Sequence, residues 1–328
     1  EKQPMVIYGD YDVDGVCATS ILLETLREEG ALVDTYIPSR HGEGYGLNCD
    51  AVREIAREHR LLITVDCGIT NHQEVRLAQM LGMTVIVSDH HQLADTPSPA
   101  DAVLNPLLGD YPFRRLCGAG VALKICQALQ GMEGVQKRLE LAALATVADI
   151  VPLVDENRVI VKLGLEAMAR TERPGLRALM LVSGVTPPVN TGHVGFRLAP
   201  RLNAGGRLED AAQGVRLLTA TDDQEAERIA ALCGGKEARV VSVETSERRE
   251  QPPRLYDLTA LQRDANRLLG YTAQQTLDYA QSLYEKQLLT YPRTDSRYLP
   301  QGMTEKAREL AAYAAAALPF AAGLSMPC

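Results

Sequence analysis

Three short apolar runs, each closing on an aspartate, dominate the hydrophobic pattern of this chain. They are Met5 to Gly9 before Asp10, Leu61 to Val65 before Asp66, and Thr84 to Ser88 before Asp89. Runs of this length, largely uninterrupted by charge, suit strands covered on both faces of a parallel sheet. Between them the apolar residues recur at helical spacing. Val16–Glu29, Asp50–Glu58 and Gln73–Leu81 are predicted helices, and Leu32–Ile37 a further strand. This alternation through about residue 105 predicts an α/β fold with an open parallel sheet between two helical layers. Residues 118–170 read as mainly helical, and a loop rich in Pro and Gly, Ser183–His193, follows. The pattern changes at Cys233-Gly234-Gly235-Lys236. A strand-like piece (Arg239–Val243), a charged stretch (Glu244–Glu250) and Pro252-Pro253 lead to segments that read as helical as far as Leu289. Three parts are expected: 1–150, an α/β domain; 151–233, a helical connector; and 234–328, a mainly helical remainder. The alanine-rich tail Ala311–Met326 falls short of the ~18–20 apolar residues of a membrane span and contains Pro319. It reads as a packing helix, and no membrane partner is expected.

With 328 residues, 46% hydrophobic and 23% charged, the chain has the composition of an ordinary globular protein of about two domains. Its seven cysteines include no C-x-x-C pair and several lie in apolar runs, which fits buried free thiols in a reducing compartment. The chain begins at Glu1 rather than methionine, so its start says little about a leader; a cytoplasmic location is expected. The net charge of −8 is uneven: from Lys236 onward there are 12 basic and 11 acidic residues, against 22 and 31 before it. An acidic surface disfavours generic nucleic-acid binding. Much of that acidity, however, belongs to one cluster, where bound cations would reverse the local sign.

That cluster is Asp10, Asp12, Asp14, Asp66, Asp89, His90, His91 and Asp149. Ligands of parallel α/β sheets bind beyond the carboxyl ends of the strands, where the first, fourth and fifth of these aspartates fall. Carboxylates crowded there need cations. Asp10-Tyr11-Asp12-Val13-Asp14-Gly15 resembles the start of an EF-hand loop, but the twelfth position is Ile21 rather than glutamate and a strand precedes it. Strand-end and helix-capping roles are the structural alternative. Asp149 lies in the almost wholly apolar Leu141–Val151 stretch, so a buried carboxylate paired with an arginine or a metal is expected. Mixed carboxylate and imidazole donors suit Mn²⁺, Fe²⁺ or Zn²⁺, with Mg²⁺ less at home. So many donors exceed one tetrahedral zinc, and two cations fit better.

These residues carry a resemblance. Asp-Tyr-Asp-Val-Asp-Gly, Asp66 in Val65-Asp66-Cys67-Gly68, Asp89-His90-His91 and Asp149 are similar to the four motifs of the DHH phosphoesterases. Arg40–Leu47, Leu116–Val121 and Arg201-Leu202-Asn203-Ala204-Gly205-Gly206-Arg207 resemble the RecJ-type branch, over about residues 5–233. The resemblance implies a two-Mn²⁺ exonuclease, with Mg²⁺ as the alternative, that removes nucleotides from the 5′ end of single-stranded DNA in repair and recombination. No small organic cofactor is implied, and nothing specifies an oligomer. Asp12, Asp14, Asp66, Asp89, His90 and Asp149 would hold the cations, with Asp10 an additional ligand. Asp66 and His91 would be catalytic, His91 as a ligand or a contact to the scissile phosphate. Tyr8 stands where many relatives have a histidine ligand. Arg201, Asn203 and Arg207 would hold phosphate or base, and Gly118 and Gly120, at the start of a helix, would receive a phosphate. Relatives continue through a DHH-associated domain and an OB-fold. This chain departs near Cys233, so activity limited to short oligonucleotides is the alternative.

From about Gly235 the chain resembles a different family. Pro252–Arg263 and Leu289–Leu299 are similar to type IA DNA topoisomerases of the topoisomerase III branch. Tyr291 would be the nucleophile and Arg293 would stabilise the phosphate. The acidic TOPRIM domain of that family does not occur in this chain. A tyrosine of ordinary pKa ~10 needs activation, so Tyr291 is expected not to cleave DNA here, and DNA binding without turnover is the further alternative.

Overall fold

The computed structural model describes residues 3–39, 46–208, 212–232, 255–294, 296–298 and 301–317. Five parallel strands form one sheet: β1 (Met5–Gly9), β2 (Val33–Tyr36), β3 (Leu61–Val65), β4 (Thr84–Ser88) and β5 (Ala102–Leu104), in the order β2-β1-β3-β4-β5. The crossovers run through α1 (Val13–Glu28), α2 (Cys49–Glu58) and α3 (His72–Met80). The predicted helices sit within a few residues of these bounds, but β5 had no counterpart among the predicted strands, being only three residues long. Alternation sorts the strands' side chains by face. Val6, Tyr8, Leu62, Val85 and Val87 pack under α2 and α3, whereas Ile7, Ile63 and Val65 pack under α1 and the helices beyond it.

The strand ends are in register. Gly9 pairs with Val65, Val65 with Ser88, and Ser88 with Leu104. The next residue of each strand therefore falls in one row across the rim: Asp10, Asp66, Asp89 and Asn105.

A helical segment, α4 (Gly118–Ala148), is interrupted at Gly131, whose φ of 65° and ψ of −156° break the helix into two limbs. A straight helix of 31 residues would hold its ends about 46 Å apart. Instead Asp14, bonded to Gly118 at one end, and Asp149, just past the other, both lie within 4 Å of His90 Nε2. The limbs thus fold back as a hairpin with both ends at the rim. Helices α5 (Asp155–Met168) and α6 (Pro174–Val182), a helical run of α7 (Thr191–His193), a π turn (Val194–Leu198) and α8 (Ala199–Leu208), then α9 (Ala212–Leu218) and α10 (Asp223–Leu232) complete this part. Leu176, Leu198, Leu217 and Ile229 share one core with α1 and the sheet. Within it the fully buried Arg138 lies 3.0 Å from Glu28, and Arg173 makes a paired contact of 2.5 and 2.8 Å with Glu24. Removing the acidic partners of Arg138 would strand its buried charge, at a cost of about 3–5 kcal/mol.

Residues 1–239 and 240–328 form two compact units. The second contains α11 (Leu258–Leu269), closed by Gly270 in the left-handed conformation, and α12 (Ala273–Glu285), opened by a Thr272–Gln275 capping box. A 3₁₀ turn (Gln301–Met303) precedes α13 (Thr304–Ala317). The Arg40–Tyr45 part of the 40–47 motif, the expected strand 239–243, the charged stretch 244–250 and the tail beyond 317 lie outside the described residues. Among the described residues no helix is long and apolar enough to cross a membrane. Cys17, Cys67, Cys117 and Cys126 are buried and unpaired, and Cys49 is a partly exposed free thiol.

Candidate metal centre

Each carboxylate of the rim is fixed by a different local device. Asp10 follows β1 and accepts the Tyr11 amide at 2.8 Å. Asp12 caps α1, accepting the Gly15 amide at 2.9 Å. Gly15 is required by close approach, since a Cβ there would lie 2.4 Å from the Asp10 carbonyl. Asp14, in the first turn of α1, accepts the amides of Gly118 (2.6 Å) and Ala119 (2.8 Å). Asp66 holds a left-handed backbone, φ 61°, that aspartate tolerates better than most residues. Its amide donates to the Ser88 carbonyl, and a Cβ on Gly118 would meet the Asp66 Cβ at 2.6 Å. Such strain persists only where its surroundings enforce it.

His90 joins these groups. Its Nε2 lies 3.0 Å from Asp66 Oδ1, 3.7 Å from Asp14 Oδ2 and 3.9 Å from Asp149 Oδ2. Three sets each bring donor atoms within 4.8 Å of one another: Asp10, Asp12 and Asp66; Asp14, His90 and Asp149; Asp66, His90 and His91. Asp66 and His90 each belong to two sets. Asp89, expected as a ligand, stands outside all three. Its Oδ1 accepts His91 Nδ1 at 2.7 Å and the amides of His90 and His91, and its Oδ2 accepts the Ile69 amide at 3.0 Å. With both oxygens engaged, Asp89 orients His91. Asp149 is not fully buried as the apolar stretch suggested: at the C-cap of α4 it is partly open to the rim, and no arginine pairs with it among the contacts described.

The electrostatics show a site organised for cations. Burial, then the charge of Asp12, pushes Asp10 up to about 7. Burial and Asp14 do the same to Asp149, again to about 7. Asp12 and Asp66 are raised chiefly by burial and then by neighbouring carboxylates. Burial alone would raise Asp89 too, but its bonds from His91 and Ile69 prevail and hold it below the ordinary range. The Asp89 bond in turn raises His91, while burial lowers His90. Asp66 Oδ1 is buried and accepts no hydrogen bond. A buried carboxylate oxygen that faces, at 3.0 Å, a ring nitrogen able to ligate a metal, among raised carboxylates, fits a divalent cation.

Comparison with known proteins agrees with this geometry. The family model "DHH family, N-terminal domain" matches residues 4–148. Residues 4–148 are a DHH domain. The chain is 48% identical over 235 residues to the single-stranded-DNA-specific exonuclease RecJ of Bacillus subtilis, covering 70% of this chain and 30% of that relative. A crystal structure of exonuclease RecJ bound to manganese superposes with a TM-score of 0.66 and 39% identity, over 71% of this chain and 60% of that one. RecJ from Thermus thermophilus in complex with Mg²⁺ gives a TM-score of 0.53 at 33% identity, over 71% of this chain and 31% of that one. A DNA topoisomerase model matches residues 202–325. DNA topoisomerase 3 of Bacillus cereus is 54% identical over 63 residues, 19% of this chain and 9% of that relative. The chain thus spans less than a third of the RecJ and topoisomerase relatives to which it aligns in these two cases.

Other expected site residues fall around the DHH domain. The amides that open α4 at Gly118 are taken by Asp14, so this helix start serves the acidic cluster instead of standing open to a phosphate. Gly120 packs against Leu116. The Gly118 amide is thus already engaged by a side chain of this chain. Tyr8 is buried in the α2–α3 core, its hydroxyl donating to the Gly46 carbonyl. Arg201 and Asn203 are half-buried on α8, with Arg201 donating to the Arg197 carbonyl at 3.0 Å. The side chain of Arg207 lies outside the described residues. In the second unit Tyr291 is 52% exposed with its ring edge on Tyr284, and Arg293 is exposed. Asn105 was missed. Its Nδ2 donates to the His91 carbonyl at 2.9 Å, and the rim rule that found the aspartates would have found it had β5 been recognised.

Proposed function

We propose that this chain is a RecJ-type, divalent-metal-dependent phosphodiesterase that releases nucleotides from the 5′ end of single-stranded DNA, acting in the cytoplasm in repair and recombination. The observation that carries the reading is the overlap of three donor sets at Asp66 and His90, in a domain whose relatives are named as single-stranded-DNA-specific exonucleases. Asp10, Asp12, Asp14, Asp66, His90 and Asp149 would hold two cations, His90 giving its one ring-nitrogen lone pair to a single ion. Mn²⁺ is the preferred ion and Mg²⁺ the alternative. When bound, such a pair lowers the pKa of water and stabilises charge at a phosphoryl centre.

The chain's own residues supply the rest. Asp89 holds the Nδ1 proton of His91 and fixes the ring's orientation toward the cluster. The protonated ring offers a positive charge to a phosphate oxygen. The amides of α4 keep Asp14 in place, and the Gly131 hairpin returns Asp149 to the same rim. Arg201, Asn203 and Arg207 of α8 contact the strand's phosphates or bases.

The test is Mn²⁺-dependent release of mononucleotide from a 5′-labelled single strand, compared with a blunt duplex and a dinucleotide. Fast single-strand degradation with little duplex cleavage is expected; no metal-dependent product from any substrate sinks the reading. Because the chain spans 30% of the Bacillus subtilis relative, a second reading keeps the chemistry but confines it to short oligonucleotides, and strong dinucleotide preference would select it.

A further inference from the structure

A second concavity shares the rim with the metal centre. Its volume is about 330 Å³, the small end of the ~300–1,000 Å³ range of ligand sites. Leu104, Pro106, Leu108, Leu116 and Val121 give it apolar walls, and Asn105, Tyr111 and Lys124 its polar groups. Resting on the nuclease reading above, we infer that this cavity is a nucleobase slot, taking one base of the single strand whose backbone crosses the carboxylate cluster.

Three observations lead there. Asn105 continues the row of Asp10, Asp66 and Asp89 by the sheet register. Neighbouring strands are about 4.8 Å apart, so it lies about 10 Å from Asp66, within the span of one or two nucleotides. Asn105 also couples slot to site: it donates to the His91 carbonyl at 2.9 Å and accepts the Leu107 amide at 2.9 Å. Finally, the lip carries an ion pair. Lys124 stands six residues along α4 from Gly118, about 9 Å of helix rise, and pairs with Glu156, which also accepts the Tyr111 hydroxyl at 2.7 Å. Leu104 and Leu108 are 38% and 41% exposed. Apolar walls suit a planar ring, and polar groups among them suit its edge.

The test uses the full chain in two arms. In the first, selectively labelled leucine methyl groups are followed by NMR while deoxyadenosine monophosphate is added in EDTA. Saturable shifts of Leu104, Leu108 and Leu116 are expected, and Leu108→Trp, which fills the slot, should abolish those of the other two. In the second, 5′-labelled single strands carry one abasic residue at each of the first four positions. One position should raise KM about fivefold with kcat unchanged, and that rise should vanish in Leu108→Trp. Leu104→Trp repeats the test if Leu108→Trp fails to fold by circular dichroism. Unshifted methyls at millimolar nucleotide, or an abasic effect identical at all positions or insensitive to the filled slot, overturn the inference. If no strand is degraded at all, the nuclease reading fails instead, and the methyl titration still decides the slot.

Discussion

The DHH domain and the topoisomerase-like segment both carry residues of phosphoryl-transfer chemistry, but only one surrounds them with the conditions that chemistry needs. In the DHH domain, strand ends, two helix termini and a hairpin deliver carboxylates and imidazoles to one partly desolvated rim, and their proton affinities move accordingly. In the second unit, Tyr291 and Arg293 stand exposed, and among the described residues the three donor sets all lie between Asp10 and Asp149. A motif residue becomes reactive through its surroundings, so the contrast predicts where substitutions will matter.

The largest effect is expected at Asp66. Asp66→Asn keeps a residue type that tolerates φ near 61° while removing the charge at the centre of the cluster. Mn²⁺-dependent degradation of a 5′-labelled single strand should fall at least about a hundredfold. The same variant should raise the melting temperature of the metal-free protein, because it removes a carboxylate whose charged form is disfavoured by burial and then by Asp14, Asp12, Asp10 and Asp89. It should also lose most of the further rise that Mn²⁺ gives the unsubstituted chain. Degradation at the unsubstituted rate would refute the assigned centre.

A smaller loss is expected at Asp89, and it has a distinguishing signature. Asp89→Asn removes the carboxylate that holds His91 Nδ1 and raises its proton affinity. Activity should fall about tenfold to a hundredfold, and the alkaline limb of the pH–rate profile should move to lower pH. A drop in rate with an unmoved profile would assign Asp89 a packing role or direct ligation instead.

How much of this was readable in the chain depends on which residues carry the signal. The sheet and its rim were legible because three apolar runs end in aspartate, and parallel register turns equal strand ends into a row. Asn105 escaped because a three-residue edge strand has too little periodicity to stand out. The Gly118 motif read as a phosphate cradle because a helix start attracts any anion; in the structure the anion there is Asp14, supplied by a helix more than a hundred residues upstream. The position of Asp149 depended on the break at Gly131, where a single glycine within a helical pattern decides whether the two ends of α4 lie far apart or together. Nothing local to Asp149 encodes that.

The next effect is one of degree, in the pH dependence of metal stabilisation. Asp10 and Asp149 titrate near 7 in the folded chain, against an ordinary 3.8. The folded state therefore keeps protons that the unfolded state releases. For these groups, metal-free stability is fully present below about pH 4 and is lost as pH rises through 7. Asp89, shifted the other way, acts below that window. Bound cations require the deprotonated forms, so the rise in melting temperature given by saturating Mn²⁺ over EDTA should grow steadily from pH 5 to pH 8. Thermal scans at four pH values would show it, and a gain independent of pH would mean that these carboxylates do not face the cation.

The smallest expected effect is the sharpest test of the contrast between the two units. Tyr291→Phe removes the only atom the topoisomerase-like segment could use as a nucleophile at this position, yet leaves the ring against Tyr284. Single-strand degradation should be unchanged within twofold, and neither form should leave a protein–DNA adduct after denaturation in detergent. The physical reason is that a phenol is a poor nucleophile at neutral pH unless a base or cation activates it, and among the described residues the donor sets lie in the other unit. A labelled band migrating with the unsubstituted protein and missing from Tyr291→Phe would show that the second segment recruits such a partner after all. The arginines Arg293 and Arg297 would then have to be read as part of a working strand-cleavage site instead of exposed or locally paired cations.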